Sequence, residues 1–196
     1  VGALRITADG GLGSAAGGTT VANGAILALD GTGGNVTYST AEAVTLNGGT
    51  LSNVAGTNSF AGAVTLGAAS AIDSTAGMLT LTGGVTNGGF LATFSGAGNT
   101  TVSTTKITGS GDLTKTGSGT LNLSAANDYT GDTTINAGTL RLSGGSAILD
   151  SGAVVLANTA GAVLDLNGSS ETIDSLSGGG TTGGNVTLGT GTLTVG

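Results

Sequence analysis

Residues 109–142 read GSGDLTKTGSGTLNLSAANDYTGDTTINAGTLRL, and this stretch contains the pattern that decides the fold. Short alternations of apolar and polar residues, such as Leu121-Asn122-Leu123 and Leu140-Arg141-Leu142, are separated by glycine, asparagine, aspartate and serine. Such alternation is typical of a half-buried β-strand, and the intervening residues are turn formers. The stretch therefore predicts several short strands joined by tight turns.

The same apolar–x–apolar alternation continues outward to both ends of the chain. It recurs about every 8–12 residues, which is the spacing expected of an all-β protein with many short strands. The clearest further examples are Leu4-Arg5-Ile6, Leu27-Ala28-Leu29, Val44-Thr45-Leu46, Val64-Thr65-Leu66, Leu79-Thr80-Leu81, Val163-Leu164-Asp165-Leu166, Val186-Thr187-Leu188 and Leu193-Thr194-Val195.

The composition excludes the main alternatives to an all-β fold. The 196 residues include 41 glycines and no proline, cysteine, histidine or tryptophan. Glycine costs about 0.8–1.0 kcal/mol against alanine inside a helix, so a helical protein is excluded. Collagen needs glycine at every third position together with proline, and disorder needs low hydrophobicity with high net charge. No apolar run approaches the length of about 18 residues that a membrane helix needs.

Regular short strands are compatible with a sandwich, a barrel or a solenoid, and the side chains favour the solenoid. Aromatic residues make up only 3% of the chain, whereas a sandwich usually fills its wide core with them. A narrow core of stacked Val, Leu, Ile and Ala is the solenoid arrangement. We therefore predict a right-handed, single-stranded parallel β-helix of about seven to nine coils that forms one continuous array over residues 1–196.

A longer internal similarity has a spacing of about 140 residues. Three segments near the start resemble three later ones: 1–7 and 137–143, 24–31 and 161–168, and 44–51 and 186–193. The pattern begins and stops within a repeat, no leader peptide is apparent, and neither end carries a polar or helical cap. We expect a section of a longer rod, with a subunit that stacks end to end as the alternative.

Residues 109–142 closely resemble the autotransporter-associated β-strand repeat of bacterial passenger domains. The matching positions are Gly111, Leu113, Lys115, Gly117, Gly119, Thr120, Leu121, Leu123, Asn127, Tyr129, Gly131, Thr133, Ile135, Gly138, Thr139 and Leu140. Ala125 and Asp132 depart from the pattern at turn positions where glycine is usual. The resemblance implies a right-handed parallel β-helix that is exported through the outer membrane of a Gram-negative bacterium by a C-terminal translocator. In that family the repeat assists folding and transport, and it carries no catalytic residues.

Two glycine-rich tracts invite a ligand-binding interpretation that the sequence does not favour. A phosphate-binding loop needs glycine directly before its lysine and a helix after it, but Thr114 precedes Lys115 and strands follow. A calcium-binding β-roll needs tandem nonapeptides, and the motif at Asp112 has no second copy nine residues away. We predict that Asp112 forms a turn.

Two pairs of carboxylates are the candidates for a polysaccharide-cleaving site, namely Asp128 with Asp132 and Glu171 with Asp174. Tyr129, between the first two, could stack on a sugar ring. The tract around it is a turn in the repeat, and five aromatic residues offer little from which to build a cleft. We therefore predict no catalytic residues, no cofactor and no metal site.

Threonine and asparagine are abundant, but their spacing is not specific. The Thr-x-Thr instances, Thr80 with Thr82 and Thr190 with Thr192 and Thr194, do not recur at one coil spacing, so an ice-binding array is not indicated. The glycosylation-like sequences at Asn35 and Asn185 occur about as often as the composition predicts. Six asparagines near turns are predicted to form internal side-chain ladders: Asn47, Asn53, Asn122, Asn127, Asn136 and Asn167.

The charge balance argues against nucleic acid as a partner. The net charge is −7, and the four basic residues, Arg5, Lys106, Lys115 and Arg141, are scattered. We expect a non-enzymatic, extracellular structural or adhesive protein, with host-cell or matrix glycans and proteins as its candidate partners. The alternatives are a filament assembled through terminal coils and, less favoured, a carbohydrate-active β-helix enzyme.

Overall fold

A computed structural model describes residues 2–196, and this part of the chain contains 25 β-strands and no helix. Accordingly, these residues include no helical segment with the length and apolarity needed to cross a membrane. The strands lie in three large parallel sheets of nine, eight and six strands and in one pair.

The chain visits the sheets in a fixed order, and each circuit forms one coil of a β-solenoid. The nine-stranded sheet comprises Ala3–Ile6 (β1), Ile26–Asp30 (β3), Thr50–Ala55 (β6), Ser70–Ser74 (β9), Ala92–Ser95 (β12), Leu113–Lys115 (β15), Thr133–Ile135 (β18), Ala153–Leu156 (β20) and Ser175–Gly178 (β23). The eight-stranded sheet comprises Thr37–Tyr38 (β4), Thr57–Phe60 (β7), Met78–Leu81 (β10), Asn99–Val102 (β13), Thr120–Leu123 (β16), Thr139–Leu142 (β19), Val163–Asp165 (β21) and Asn185–Thr187 (β24).

The last strand of most coils belongs to the six-stranded sheet or to the pair. The six-stranded sheet comprises Thr19–Ala22 (β2), Val44–Asn47 (β5), Val64–Ala68 (β8), Val85–Thr86 (β11), Ile107–Gly109 (β14) and Asp128–Tyr129 (β17). Glu171–Ile173 (β22) pairs with Leu193–Val195 (β25) in the last two coils. We number the coils 1 to 9 by their strand in the nine-stranded sheet. The predicted all-β parallel solenoid and its number of coils are confirmed.

Coil length varies, although the order of the sheets is kept from coil to coil. In the nine-stranded sheet, Leu113 pairs with Thr133, 20 positions later, whereas Leu27 pairs with Leu51, 24 positions later. The additional residues lie in the connections between strands, because the backbone hydrogen bonds between coils hold the strands themselves in register.

The core consists of side chains that stack on the equivalent side chain of the next coil. In the eight-stranded sheet, Leu81, Val102, Leu123 and Leu142 follow one another in register, and each has no exposed surface. The outward positions between them are polar, which is the alternation that a sheet with one buried face requires. All ten of the alternating segments that predicted strands overlap observed strands.

The core is not purely aliphatic, in contrast to the sequence-based expectation. Tyr38 and Phe60 lie in neighbouring coils with their rings stacked and their centroids 5.1 Å apart. Phe94 and Tyr129 are also buried, so only Phe90 of the five aromatic residues is exposed. Single rings stacked along the rod axis fit a core that is too narrow for aromatic residues to face each other across it.

Glycines are required where turns of successive coils stack backbone upon backbone. Gly117 and Gly138 have φ values of 71° and 67° at equivalent corners of coils 6 and 7. A Cβ atom at Gly138 would lie 2.4 Å from the carbonyl oxygen of Gly117, which no other residue could tolerate without displacement.

The segments that resemble each other at a spacing of about 140 residues share a strand pattern, but they lie in different sheets of the coil. Leu4 lies in the nine-stranded sheet, whereas its counterpart Leu140 lies in the eight-stranded sheet. The structural repeat of the protein is therefore the single coil.

Candidate functional site

The most unusual side chain in the core is Lys115. It follows Phe94 and precedes Ile135 in one inward-facing column of the nine-stranded sheet, and only 3% of it is exposed. A strand, not a helix, contains this lysine, and a further strand follows it.

The ammonium group of Lys115 binds the turns of two successive coils. Its Nζ donates to the carbonyl oxygens of Thr116 at 2.6 Å and Gly117 at 2.9 Å in coil 6, and to that of Ala137 at 3.4 Å in coil 7. Burial lowers the pKa of the lysine to about 8. Three backbone carbonyls replace its water shell, so Lys115 clamps the corner where the two coils meet.

Tyr129 and Asn127, which lie with Lys115 in the stretch 109–142, are also buried and hydrogen-bonded. The hydroxyl group of Tyr129 lies 2.7 Å from Oγ1 of Thr133, and burial raises the pKa of the phenol. The amide of Asn127 accepts from the backbone N–H of Ile107 at 2.7 Å and donates to the carbonyl oxygen of Ala147 at 2.7 Å. Asn127 therefore links coils 5, 6 and 7 across one corner.

The two aspartates of the first carboxylate pair, Asp128 and Asp132, lie on a strand and in the turn that follows it. Asp128 is exposed on β17 and forms an ion pair with Lys106. Asp132 lies in the next turn, where its backbone N–H donates to Oδ1 of Asp112 at 2.9 Å. Tyr129 is 1% exposed, so it offers no ring face to a sugar.

In the second carboxylate pair, Glu171 lies in the core and Asp174 lies at the surface. Glu171 is 2% exposed, and its Oε1 accepts from the backbone N–H of Ile148 at 2.7 Å, while its Oε2 has no hydrogen-bond partner among the described residues. Burial raises the pKa of this carboxyl group, and Asp150 adds to the effect. Asp174 is exposed. The two carboxyl groups therefore occupy different environments, one buried and one exposed.

Asp112 has a different role from the turn that the sequence predicts. Its carboxylate accepts from the backbone of the following coil, and so it joins two coils instead of closing its own turn. Within residues 2–196, no group of three or more carboxylates is placed to hold a metal ion.

Each of the three exposed cations forms an ion pair with an aspartate of the following coil. Arg5 lies 2.8 Å from Asp30, Lys106 pairs with Asp128, and Nε of Arg141 lies 2.9 Å from Asp165. Exposed pairs of this kind contribute about 0.2–1 kcal/mol each. Each of these positive charges is paired with a neighbouring aspartate, so the three residues form no basic patch.

The predicted internal asparagine ladder is not formed, and four of its six members are not buried. Asn47, Asn122, Asn136 and Asn167 are not buried, since each lies on an outward position or in a surface turn. Asn53 and Asn127 are buried, as predicted. Most of the inward amides bond to nearby backbone instead of stacking on one another, because equivalent positions in the next coil hold other residues.

Two other buried asparagines were not predicted from the sequence. Nδ2 of Asn58 donates to Oδ1 of Asn53 at 2.6 Å, in the one amide pair of this kind among residues 2–196. Asn87 donates to the carbonyl oxygen of Gly111 at 2.6 Å and accepts from its N–H at 3.0 Å. The glycine after Asn87 marks a turn but does not indicate burial of the amide, and no local signal distinguishes Asn58.

A threonine column on the outside of the six-stranded sheet was likewise not predicted. Five threonines occupy one position in five consecutive coils, and Asp128 follows them in register: Thr20, Thr45, Thr65, Thr86 and Thr108. Their separations along the chain differ because the coils differ in length. The Thr-x-Thr pairs of the sequence contribute none of these residues, and the column is one residue wide.

Comparison with known proteins agrees with this architecture. The passenger-associated transport repeat family matches residues 113–142, which contain the Lys115 clamp and Tyr129. The chain is also 50% identical over 90 residues to the Adhesin BmaC autotransporter of Brucella suis biovar 1 (strain 1330). The aligned part covers 46% of this chain but only 3% of that adhesin. No solved structure matches the chain significantly.

The repeat, the similarity to an adhesin and the parallel solenoid together support an autotransporter passenger domain.

Proposed function

We propose that this chain is a non-enzymatic, adhesive section of an autotransporter passenger, exposed at the surface of a Gram-negative bacterium. The similarity to an autotransporter adhesin supports this role most directly. The outer faces of the solenoid fit it as well, because their side chains are mostly threonine, serine and asparagine on a rigid backbone. In the full-length protein, an outer-membrane translocator would deliver the chain to the surface.

Surface display tests the adhesive role. The chain is fused to an autotransporter translocator in a non-adherent Gram-negative host, and attachment to cultured epithelial cells is counted. The translocator alone serves as the control, and resistance of the displayed chain to protease verifies folding. We expect attachment to increase several-fold. A displayed, protease-resistant chain that attaches no better than the control would contradict the proposal.

The absence of enzymatic activity is part of the same proposal. It is supported by the different environments of Glu171, which is buried, and Asp174, which is exposed, and by the burial of Tyr129 next to Asp128. Reducing-sugar assays on a panel of polysaccharides are expected to show no product above background. Hydrolysis that disappears in Asp128→Asn would refute this part.

End-to-end assembly is the second candidate. It is supported by the parallel stacking of coils through backbone hydrogen bonds, a contact that a coil of a second copy could continue. Unpaired strand edges recruit further strands. Fibres whose amount increases with protein concentration in negative-stain micrographs would support assembly, and a monodisperse monomer by light scattering would exclude it.

A further inference from the structure

A shallow groove of about 280 Å³ crosses the outer face of the eight-stranded sheet. It extends from Met78 in coil 4 to Asn167 in coil 8. Between them it is lined by hydroxyl, amide and guanidinium groups: Asn99, Thr101, Thr120, Asn122, Arg141 and Ser143. The two carboxylate pairs considered above lie outside it.

Two of the three asparagine amides in the groove, those of Asn99 and Asn122, are oriented by bonds to the protein. Oδ1 of Asn99 accepts from the backbone N–H of Thr120 at 2.9 Å, and Oδ1 of Asn122 accepts from the hydroxyl of Ser143 at 3.3 Å. Neither Nδ2 group donates to an acceptor within residues 2–196. Each amide oxygen thus accepts one hydrogen bond from the protein, and each Nδ2 is available to donate to a ligand.

Arg141 adds a third donor group in the next coil. Its Nε donates to Oδ2 of Asp165 at 2.9 Å, while Oδ1 of Asp165 accepts from the backbone N–H of Asn167 at 2.9 Å. The bond to Asn167 orients the carboxylate, and its Oδ2 holds the Nε edge of the guanidinium. Its two Nη groups donate to no acceptor in the described part of the chain, and the side chain is 47% exposed. Asp165 is a positioning residue for Arg141.

The strands of the eight-stranded sheet carry one cation, Arg141, and one carboxylate, so this face is neutral although the whole chain is acidic. Asp165 is the one carboxylate among the strands of the eight-stranded sheet in residues 2–196, and it is paired. Asn122 and Arg141 are register partners in coils 6 and 7, about 4.8 Å apart. Asn99 in coil 5 lies beside Thr120, two residues along the strand from Asn122. Two amides beside a planar guanidinium match the hydroxyl groups and the carboxylate of an acidic sugar chain.

We propose that this groove binds an acidic polysaccharide made of uronic acid units. Arg141 receives a carboxylate, and the amides of Asn99 and Asn122 donate to hydroxyl and ring oxygens of neighbouring sugars. The inference rests on the proposed adhesive role and gives it a ligand class. Because the groove has no aromatic platform, each segment binds weakly, and a long polysaccharide that spans many displayed copies gains affinity by multivalency.

Binding of a defined oligosaccharide to the intact chain tests the proposal. The probe is a hexamer of α-1,4-linked galacturonic acid, and its fully methyl-esterified form has the same shape without the charge. Titration calorimetry or chemical-shift perturbation should detect the acid, with at least tenfold weaker binding of the ester. Arg141→Gln should weaken binding of the acid about tenfold, and Asn122→Ala should weaken it several-fold.

Lys106→Gln is the matched control. The Lys106 side chain is also 47% exposed and also paired with an aspartate of the next coil, but it lies next to the six-stranded sheet. This variant should bind the hexamer like the parent chain. Thermal unfolding followed by circular dichroism verifies that all variants fold.

Three results would overturn the groove proposal: no binding of the acid, equal binding of acid and ester, or equal losses in Arg141→Gln and Lys106→Gln. The adhesive role is tested separately. If the hexamer binds and Arg141→Gln removes binding, but the displayed chain does not attach to cells, the groove proposal stands and the adhesive proposal fails. If attachment persists while no variant binds the hexamer, the adhesive role stands and the groove proposal fails.

Discussion

Lys115 replaces a hydrophobic residue in a column that contains Phe94 before it and Ile135 after it. Its aliphatic stem fills the volume of the column, while its ammonium group reaches the corner and satisfies carbonyls that would otherwise lack donors. A purely apolar residue would fill the same volume but would leave the carbonyls of Thr116 and Gly117 without this partner.

The burial of Lys115 makes the stability of the protein depend on pH in the alkaline range. The pKa is lowered from 10.5 to about 8 in the fold, so above about pH 8 the unfolded chain binds more protons than the folded chain. The free energy of unfolding should therefore rise between about pH 8 and about pH 10.5 relative to Lys115→Met. Urea unfolding of both proteins across this range measures the difference. Parallel pH profiles would contradict the prediction.

Glu171 should make the free energy of unfolding depend on pH in the acidic range, where it should fall as the pH rises. Burial raises its pKa above 4.5, so the folded chain holds this proton more tightly than the unfolded chain. The stability that protonation provides is present at low pH and is lost as the pH rises through the raised pKa. Relative to Glu171→Gln, which keeps the acceptor for Ile148, the parent chain should lose stability as the pH rises above about 4.5. A pH-independent difference in unfolding free energy between the two would refute this.

At the scale of single elements, the corners between sheets determine which residues are tolerated. Strands stack side chain on side chain, but corners such as those at Gly96 and Gly117 stack backbone on backbone. A side chain there meets the previous coil, and the positive φ adds strain. This packing accounts for much of the high glycine content without any role in ligand binding.

Gly117→Ala should therefore be strongly destabilising. The added Cβ would lie 2.4 Å from the carbonyl oxygen of Gly96, and the residue has φ of 71°. We expect a loss of about 2–4 kcal/mol in unfolding free energy, measured by urea denaturation. Gly17→Ala is the control, since no atom lies within 4 Å of its added Cβ, and it should change stability by less than about 0.5 kcal/mol. Equal effects of the two substitutions would argue against the stacked corners.

At the scale of the whole molecule, each interior coil is held by one neighbour on either side. Stability in such an array is approximately a sum of the coils and the interfaces between neighbours. The end coils have one neighbour each within the described chain, and their strands are correspondingly more exposed, as in β1 and β25.

Hydrogen exchange should reproduce this gradient. The amides of β10, β13 and β16 in central coils should exchange slowest, and those of β25 faster. Residues 7–18 form no strand and are almost entirely exposed, so they should exchange fastest. Mass spectrometry of the intact chain after timed labelling measures all of these segments. Uniform protection from coil 1 to coil 9 would contradict nearest-neighbour stability.

Several sequence-based predictions were wrong because the role of a side chain depends on the residues that it contacts in the neighbouring coils. Asn167 has the same turn-like context in the sequence as Asn127, yet only Asn127 is buried, and Asn122 is the outward residue between two buried leucines of β16. Asp112 was expected to close its own turn but binds the backbone of Asp132 in the next coil. Local propensity describes the neighbours along the chain, whereas these roles are set by the neighbours above and below.

The alternation of apolar residues, the abundance of turn-forming glycine and the repeat at 109–142 were sufficient to establish strands, a parallel solenoid and its approximate number of coils. These properties follow from local patterns, because burial of one face imposes a period of two on every strand. The columns that run along the rod were decided only by the tertiary structure. Connections of unequal length place Thr45 against Thr65 and Asn122 against Arg141 at different separations along the chain. Hydrogen bonding between coils selects the register, and so the threonine column, the Lys115 clamp and the donor-lined groove exist only once the chain is wound.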